Sequence, residues 1–388
     1  MPVRVIGMIG VAPPSGEATV HVIKGGISTA YLRAFSQAHD MAGFDLALVG
    51  YTASSAEGFL IAQYAAQCTE RLGFLIAHRP GFVAPTLAAR KIATFDHLTE
   101  GRIALHIISG ASDAEQEGDG DFAPKEERYR RAAEYIEVMK LAWTSQHRFD
   151  FNGAFYRVRG ARSDVQPLQS PHPLLFFGGS SEGALAMGAK HCDVFAMFGE
   201  PLAATAQRIA EFRARANLYG RSPTFNMSFR PILGATEGQA WDRARQILAT
   251  VQRPGDPTGF GNNKAPLDHS ARRMLDFAAQ GDTHDERLWM PIAEATGAVG
   301  NTSCLVGTAE QVAAALLEYY KLGIHSFLIR GFDPLGDTVE FGRELIPRLR
   351  MGADELDRAK AAYRSSSVAR SPRRSTAAIC PVADARTR

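Results

Sequence analysis

Cysteine is scarce in this chain. Its four copies, Cys68, Cys192, Cys304 and Cys380, lie far apart and form no CxxC or mixed Cys/His spacing. That pattern gives no disulfide framework and no metal-binding motif, and it fits a reducing compartment. An excess of one charge is also missing. Lys and Arg number 43 against 41 Asp and Glu, a net charge of +2, and part of that surplus sits in residues 364–388, where six arginines face only Asp384. The body therefore carries no basic footprint for nucleic acid or for an acidic membrane surface. Long apolar runs are absent as well: no stretch approaches the ~18 residues a membrane span needs, and the apolar run in MPVRVIGMIGVAPP is too short and too early for a signal segment. The expectation is a soluble, cytoplasmic protein without a metal.

What is present is the material of one large α/β domain, with 45% hydrophobic and 22% charged residues among 388. Short β-branched or aliphatic runs alternate with helical patterns, the signature of repeated βα units. Eight runs are strand candidates: 3–9, 46–49, 73–77, 102–108, 174–177, 194–197, 225–233 and 326–329. Eight fit a (β/α)8 TIM barrel; an open doubly wound sheet is the alternative. Thr236 to Gln239 and Thr308 to Gln311 have the S/T-x-x-E/Q form that opens helices. Between the seventh and eighth strands lies a long insertion, about 253–300, whose RPGDPTGFGNNK start and position predict an active-site lid or a surface loop. Ser, Arg, Thr and Ala dominate from Arg364, predicting disorder from about 364.

In such a barrel the C-terminal ends of the strands carry the chemistry. The fourth candidate, IALHIISG, puts His106 on the face of Ala104 and Ile108, an odd place for a polar ring unless a neighbour satisfies it. The seventh, FNMSFRP, alternates so that Asn226, Ser228 and Arg230 point inward. A buried arginine is costly, so Arg230 is expected to meet either a carboxylate, sulfonate or phosphate, or an internal Asp or Glu. After the fifth strand, FGGSSEG combines glycines that allow close approach with hydroxyls at a helix start, an arrangement suited to phosphate.

RPGFVAPTLAARKIATFDHLTEGR, GDGDFAPKEERYRRAAEYIEVMKLAW, FDFNGAFYRVRGA and FFGGSSEGALAMGAKHCDVFAMFGEP together resemble the alkanesulfonate monooxygenase branch of the luciferase-like flavin monooxygenases. The similarity runs in order over 1–352, taken as one domain, and leaves 353–388 as a C-terminal extension. The resemblance implies a homodimeric or homotetrameric barrel. It would take reduced FMN from a separate NAD(P)H-dependent reductase and activate O2 at the flavin C4a position, oxygenating a small organic substrate of the organosulfur or sulfonate kind. It places Gly179, Ser180 and Ser181 at the flavin phosphate with Tyr129 beside them, His106 and Ser109 beside the ring, and Tyr51 to Ser55 near its reactive edge.

Departures from that branch are equally specific. The sulfonate enzymes have histidine where this chain has Arg230, arginine at Ser228, cysteine at Ser55 and tyrosine at Phe332, and their lid arginine falls near Ala298. Arg230, His106 and His78 are then the expected catalytic groups, with Ser55, Ser228, Arg330 and Phe332 at the substrate. Arg330 is expected to share a face with Phe332. Lys264, Arg272, Arg273 and Arg287 are further cations of the insertion. Hydride transfer with deazaflavin F420 on the same barrel, and a non-catalytic flavin-binding protein, are the alternatives.

Overall fold

The computed structural model describes residues 2–14, 18–19, 25–110, 112–253 and 269–369, with side chains as far as 363. Lys264 and the RPGDPTGFGNNK stretch beyond Arg253 lie outside the described residues, as does the tail from 370. Eight parallel strands form the centre: β1 (Arg4–Met8), β2 (Leu46–Val49), β3 (Gly73–His78), β4 (Ile103–Ile107), β5 (Leu175–Gly178), β6 (Val194–Phe198), β7 (Thr224–Leu233) and β8 (Ile324–Ile329). Each pairs with the next, and β8 returns to β1 through Arg4↔Ser326, Val5↔Phe327 and Ile6↔Leu328, which closes the ring. All eight expected strands are present, and the open-sheet alternative is ruled out by that closure.

Period-two alternation explains the two cores. Ile6, Leu75, Ala104, Phe176, Val194 and Leu328 fill the barrel interior. The other face of each strand meets the helices; Phe177 and Phe195 stack at 5.0 Å, and Phe212 of helix Leu202–Asn217 lies 4.3 Å from Phe195. Each such ring contributes roughly 1.5–3 kcal/mol by leaving water. Gly188 is required here, because a Cβ would sit 2.0 Å from the Phe177 ring. Both capping boxes form, at Thr236/Gln239 and Thr308/Gln311.

Three features were not anticipated. A hairpin of Phe149–Asn152 and Arg157–Ala161 is inserted between β4 and β5. The described residues of the insertion after β7 form helix His269–Ala278, short strands Thr283–His284 and Leu288–Trp289, helix Pro291–Ala295, then strand Cys304–Gly307. That last strand pairs in parallel with the outer half of β7, Arg230 to Leu233, so β7 is long because it serves two sheets. Third, a helix spans Ile346–Ala369. Among the described residues no helix is long and apolar enough to cross a membrane.

Candidate active site

The turn after β5 is built for close approach. Gly179 has φ +142, and a Cβ there would meet Ala184 at 2.8 Å, while Ser181 caps helix Glu182–His191 by accepting from the Ala184 N–H. The capped helix start leaves main-chain N–H groups facing the turn. Tyr129, buried on helix Lys125–Thr144, brings its hydroxyl 3.7 Å from where a Gly179 Cβ would stand. Arg208, which sequence reasoning missed, reaches the same turn from helix Leu202–Asn217. Its Nη2 donates to Ser180 Oγ at 2.6 Å, and its Nη1 lies 3.5 Å from the buried Glu200 carboxylate. Glu200 also receives Arg273 Nε at 2.6 Å, and Ser270 Oγ is 3.0 Å from Ser180 Oγ. The guanidiniums of Arg208 and Arg273 thus converge on one carboxylate beside the turn, and guanidinium donors suit an incoming phosphate.

Next to the turn, His106 points into the barrel as expected. Its Nε2 would lie 3.6 Å from a Cβ on Gly178, so glycine there keeps the ring's face open. Nδ1 of His106 and Oγ of Ser109 are both buried without a hydrogen-bond partner. Burial pushes the His106 imidazole down to about 4, so it is neutral at pH 7. Orphaned polar atoms beside a glycine-lined cradle are what a polar heterocycle with a phosphate tail requires, and these residues fit a flavin mononucleotide.

Beside this corner, loops after β2, β3 and β4 are tied together. Tyr51 donates to Asp119 at 2.8 Å, Arg79 lies 4.3 Å over the Tyr51 ring, and Arg79 pairs with Glu115 and Asp119. Ser55 closes its own turn, receiving the Thr52 N–H at 3.0 Å and donating to the Thr52 carbonyl at 2.9 Å.

Other expectations need correction. His78 follows the outward face of β3: its Nε2 is 2.9 Å from the Tyr135 hydroxyl and its ring meets Phe59 edge-on, so it sits in the helix layer. Arg230 does point inward, yet it is 1% exposed and bonds main-chain carbonyls: Nε to Asn301 at 3.0 Å, Nη1 to Gly331 at 3.0 Å and to Thr19 at 3.2 Å. These bonds tie Arg230 to the main chain at Asn301, Gly331 and Thr19. Arg330 and Phe332 both follow the end of β8 at Ile329. The Phe332 ring packs with Ile232, Trp289 and Cys304, on the face of β7 that carries Arg230, whose guanidinium lies 4.8 Å from it. Ser228 accepts from Asn301 Nδ2. Among the described cations of the insertion, Arg287 pairs with Glu237, while Arg273 reaches the turn through Glu200.

The sequence profile of the luciferase-like monooxygenases matches residues 8–326. Among solved structures, DmoA from Hyphomicrobium sulfonivorans superposes with a TM-score of 0.71 at 20% identity, covering 90% of this chain and 88% of its own. EDTA monooxygenase from Chelativorans sp. BNC1 gives 0.69 at 19%, covering 90% and 94%. The oxygenating constituent of 3,6-diketocamphane monooxygenase from Pseudomonas putida, a structure in complex with FMN, gives 0.65 at 18%, covering 90% and 97%. With the profile spanning the barrel from the end of β1 into β8, this chain belongs to the luciferase-like monooxygenase family.

Proposed function

We propose that the protein is an FMN-dependent monooxygenase that receives reduced flavin from a separate NAD(P)H-dependent reductase and uses O2 to oxygenate a small organic substrate. The observation that carries this is the corner at β4 and β5, where a cationic glycine–serine turn adjoins the unpartnered His106 Nδ1 and Ser109 Oγ. When bound, the flavin supplies two electrons and the position at which oxygen is reduced. The chain's own residues bind and orient. Ser180, Ser181 and Arg208 hold the phosphate, with Tyr129 closing one side. Neutral His106 carries one ring proton and offers one lone pair, so it donates to or accepts from the ring without serving as an imidazolium acid. Ser109 adds a second hydroxyl contact. The Tyr51–Asp119–Arg79 network keeps three loops in register around the mouth and limits water entry.

Anaerobic mixing of the protein with reduced FMN, followed by oxygen, tests the reading. Protein should change the rate of flavin reoxidation, and a panel of organic substrates should include one that is oxygenated with less peroxide released. Reoxidation at the free-solution rate, with no product from any substrate, would sink it; turnover of an alcohol with F420 would put hydride transfer in its place.

A further inference from the structure

Among the described residues, several arginines withdrawn from solvent are compensated in one of two ways. Buried Arg79, Arg128 and Arg208 and half-buried Arg131 and Arg243 each face a carboxylate, and buried Arg230 bonds carbonyls. Half-buried Arg330 has neither. It follows the last residue of β8, and its Nη1 reaches across to the Met8 thioether at 2.9 Å, a weak acceptor that carries no charge. Its Nε is buried without a partner, and no carboxylate lies within ion-pairing distance of it among the described residues. A charge of the same sign is close by, since Arg330 acts on Arg230 by repulsion. Burial alone pulls the Arg330 guanidinium down to about 10, which leaves it charged at pH 7.

We propose that Arg330 is the receptor for an acidic group on the substrate, so that this enzyme oxygenates an organic acid bound through its carboxylate or sulfonate. With Nη1 committed to Met8, the guanidinium keeps its Nε/Nη2 edge, which offers two parallel N–H groups to two oxygens of one acid. Strands β8 and β4 stand four places apart in an eight-membered ring, so Arg330 and His106 lie on opposite sides of the mouth. An acid seated on Arg330 therefore projects its body toward the β4–β5 corner. The proposal rests on the flavin reading in that one respect, the corner being where the flavin acts. It also moves acid recognition to strand eight, away from Arg230, which is closed off, and Ser228, which is uncharged.

The flavin's own anionic reduced ring is the other source of negative charge, and one set of titrations separates the two. Pentanesulfonate, pentanoate and the neutral pentanamide are titrated into the flavin-free and the FMN-loaded full chain, in the wild type, Arg330→Gln and Arg330→Lys. Oxidised and reduced FMN affinities are measured for all three proteins. The expected result is that wild type binds at least one acid ten-fold or more tightly than the amide. Arg330→Gln should lose that preference while both FMN affinities stay within two-fold, and Arg330→Lys should keep part of it. Acids binding no better than the amide would overturn the proposal. So would an unchanged preference in Arg330→Gln, or a loss of reduced-FMN affinity alone, which would assign Arg330 to the flavin. If Arg330→Gln does not fold, the wild-type preference and its partial retention in Arg330→Lys decide. If wild type binds the acids but no FMN, the flavin reading fails and the acid site stands.

Discussion

Arg208 and Arg230 are both buried arginines, and their partners give them different work. Arg208 bonds a serine hydroxyl and shares Glu200 with Arg273, so its charge is directed at a turn with room for a ligand. Arg208→Met should weaken FMN binding by ten-fold or more while leaving riboflavin, which lacks the phosphate, within two-fold; flavin fluorescence titrations measure both. Equal losses would make Arg208 a packing residue. Arg230 has its donors on main-chain carbonyls of loops far apart in sequence. Removing it strands those acceptors, so Arg230→Met should cost about 2–4 kcal/mol of stability in urea unfolding. An unaffected midpoint with selective loss of oxygenation would return Arg230 to the catalytic set. Facing was legible from the strand alternation for Arg230, Ser228 and His106. Partners were not, because Asn301 and Gly331 reach Arg230 and Ser228 only through the closed barrel.

At the scale of elements, every barrel strand could be read because each carries an apolar run bounded by turn residues. The 149–161 hairpin could not, since FDFN and RVRGA are short and half polar, and the hairpin's position is fixed from outside. Glu134, on helix Lys125–Thr144, accepts the N–H groups of Ala154 at 2.9 Å, Phe155 at 2.8 Å and Tyr156 at 3.3 Å. One carboxylate thus satisfies the whole hairpin turn. Glu134→Ala should leave the barrel's unfolding midpoint nearly unchanged while amide exchange across 150–160 rises at least ten-fold by mass spectrometry. A fall in global stability with unchanged local exchange would show the hairpin to be part of the core. The same logic applies to the strand Cys304–Gly307, whose register is set by the outer half of β7.

Over the whole molecule, burial of neutral imidazoles sets the response to acid. His39, His78 and His106 are pushed down to about 4 and His191 to about 3, burial being the leading cause for each. Their folded values lie below the unfolded value of about 6.5, so between pH 6.5 and 4 the unfolded chain binds more protons and stability falls as pH is lowered. A fall of about 2.5 units corresponds to ~3 kcal/mol for one group, against a total of about 5–15 kcal/mol for a typical domain. The carboxylate of Glu237, held down to about 2 by Arg287 and Gln311, acts in a lower window, losing its contribution only as pH falls below its ordinary range. Urea unfolding should therefore show full stability above pH 7, a steep decline from 6.5, and loss of the fold before pH 4. His39 isolates one proton of that slope: its Nδ1 donates to the Phe35 carbonyl at 2.8 Å, and its ring is wedged against Phe35 and Phe44, remote from the barrel mouth. His39→Asn should reduce the proton uptake on unfolding between pH 6.5 and 4.5 by about one. A flat profile from pH 7.5 to 5, or an unaltered slope in the variant, would mean these imidazoles are already open to solvent protons in the folded state.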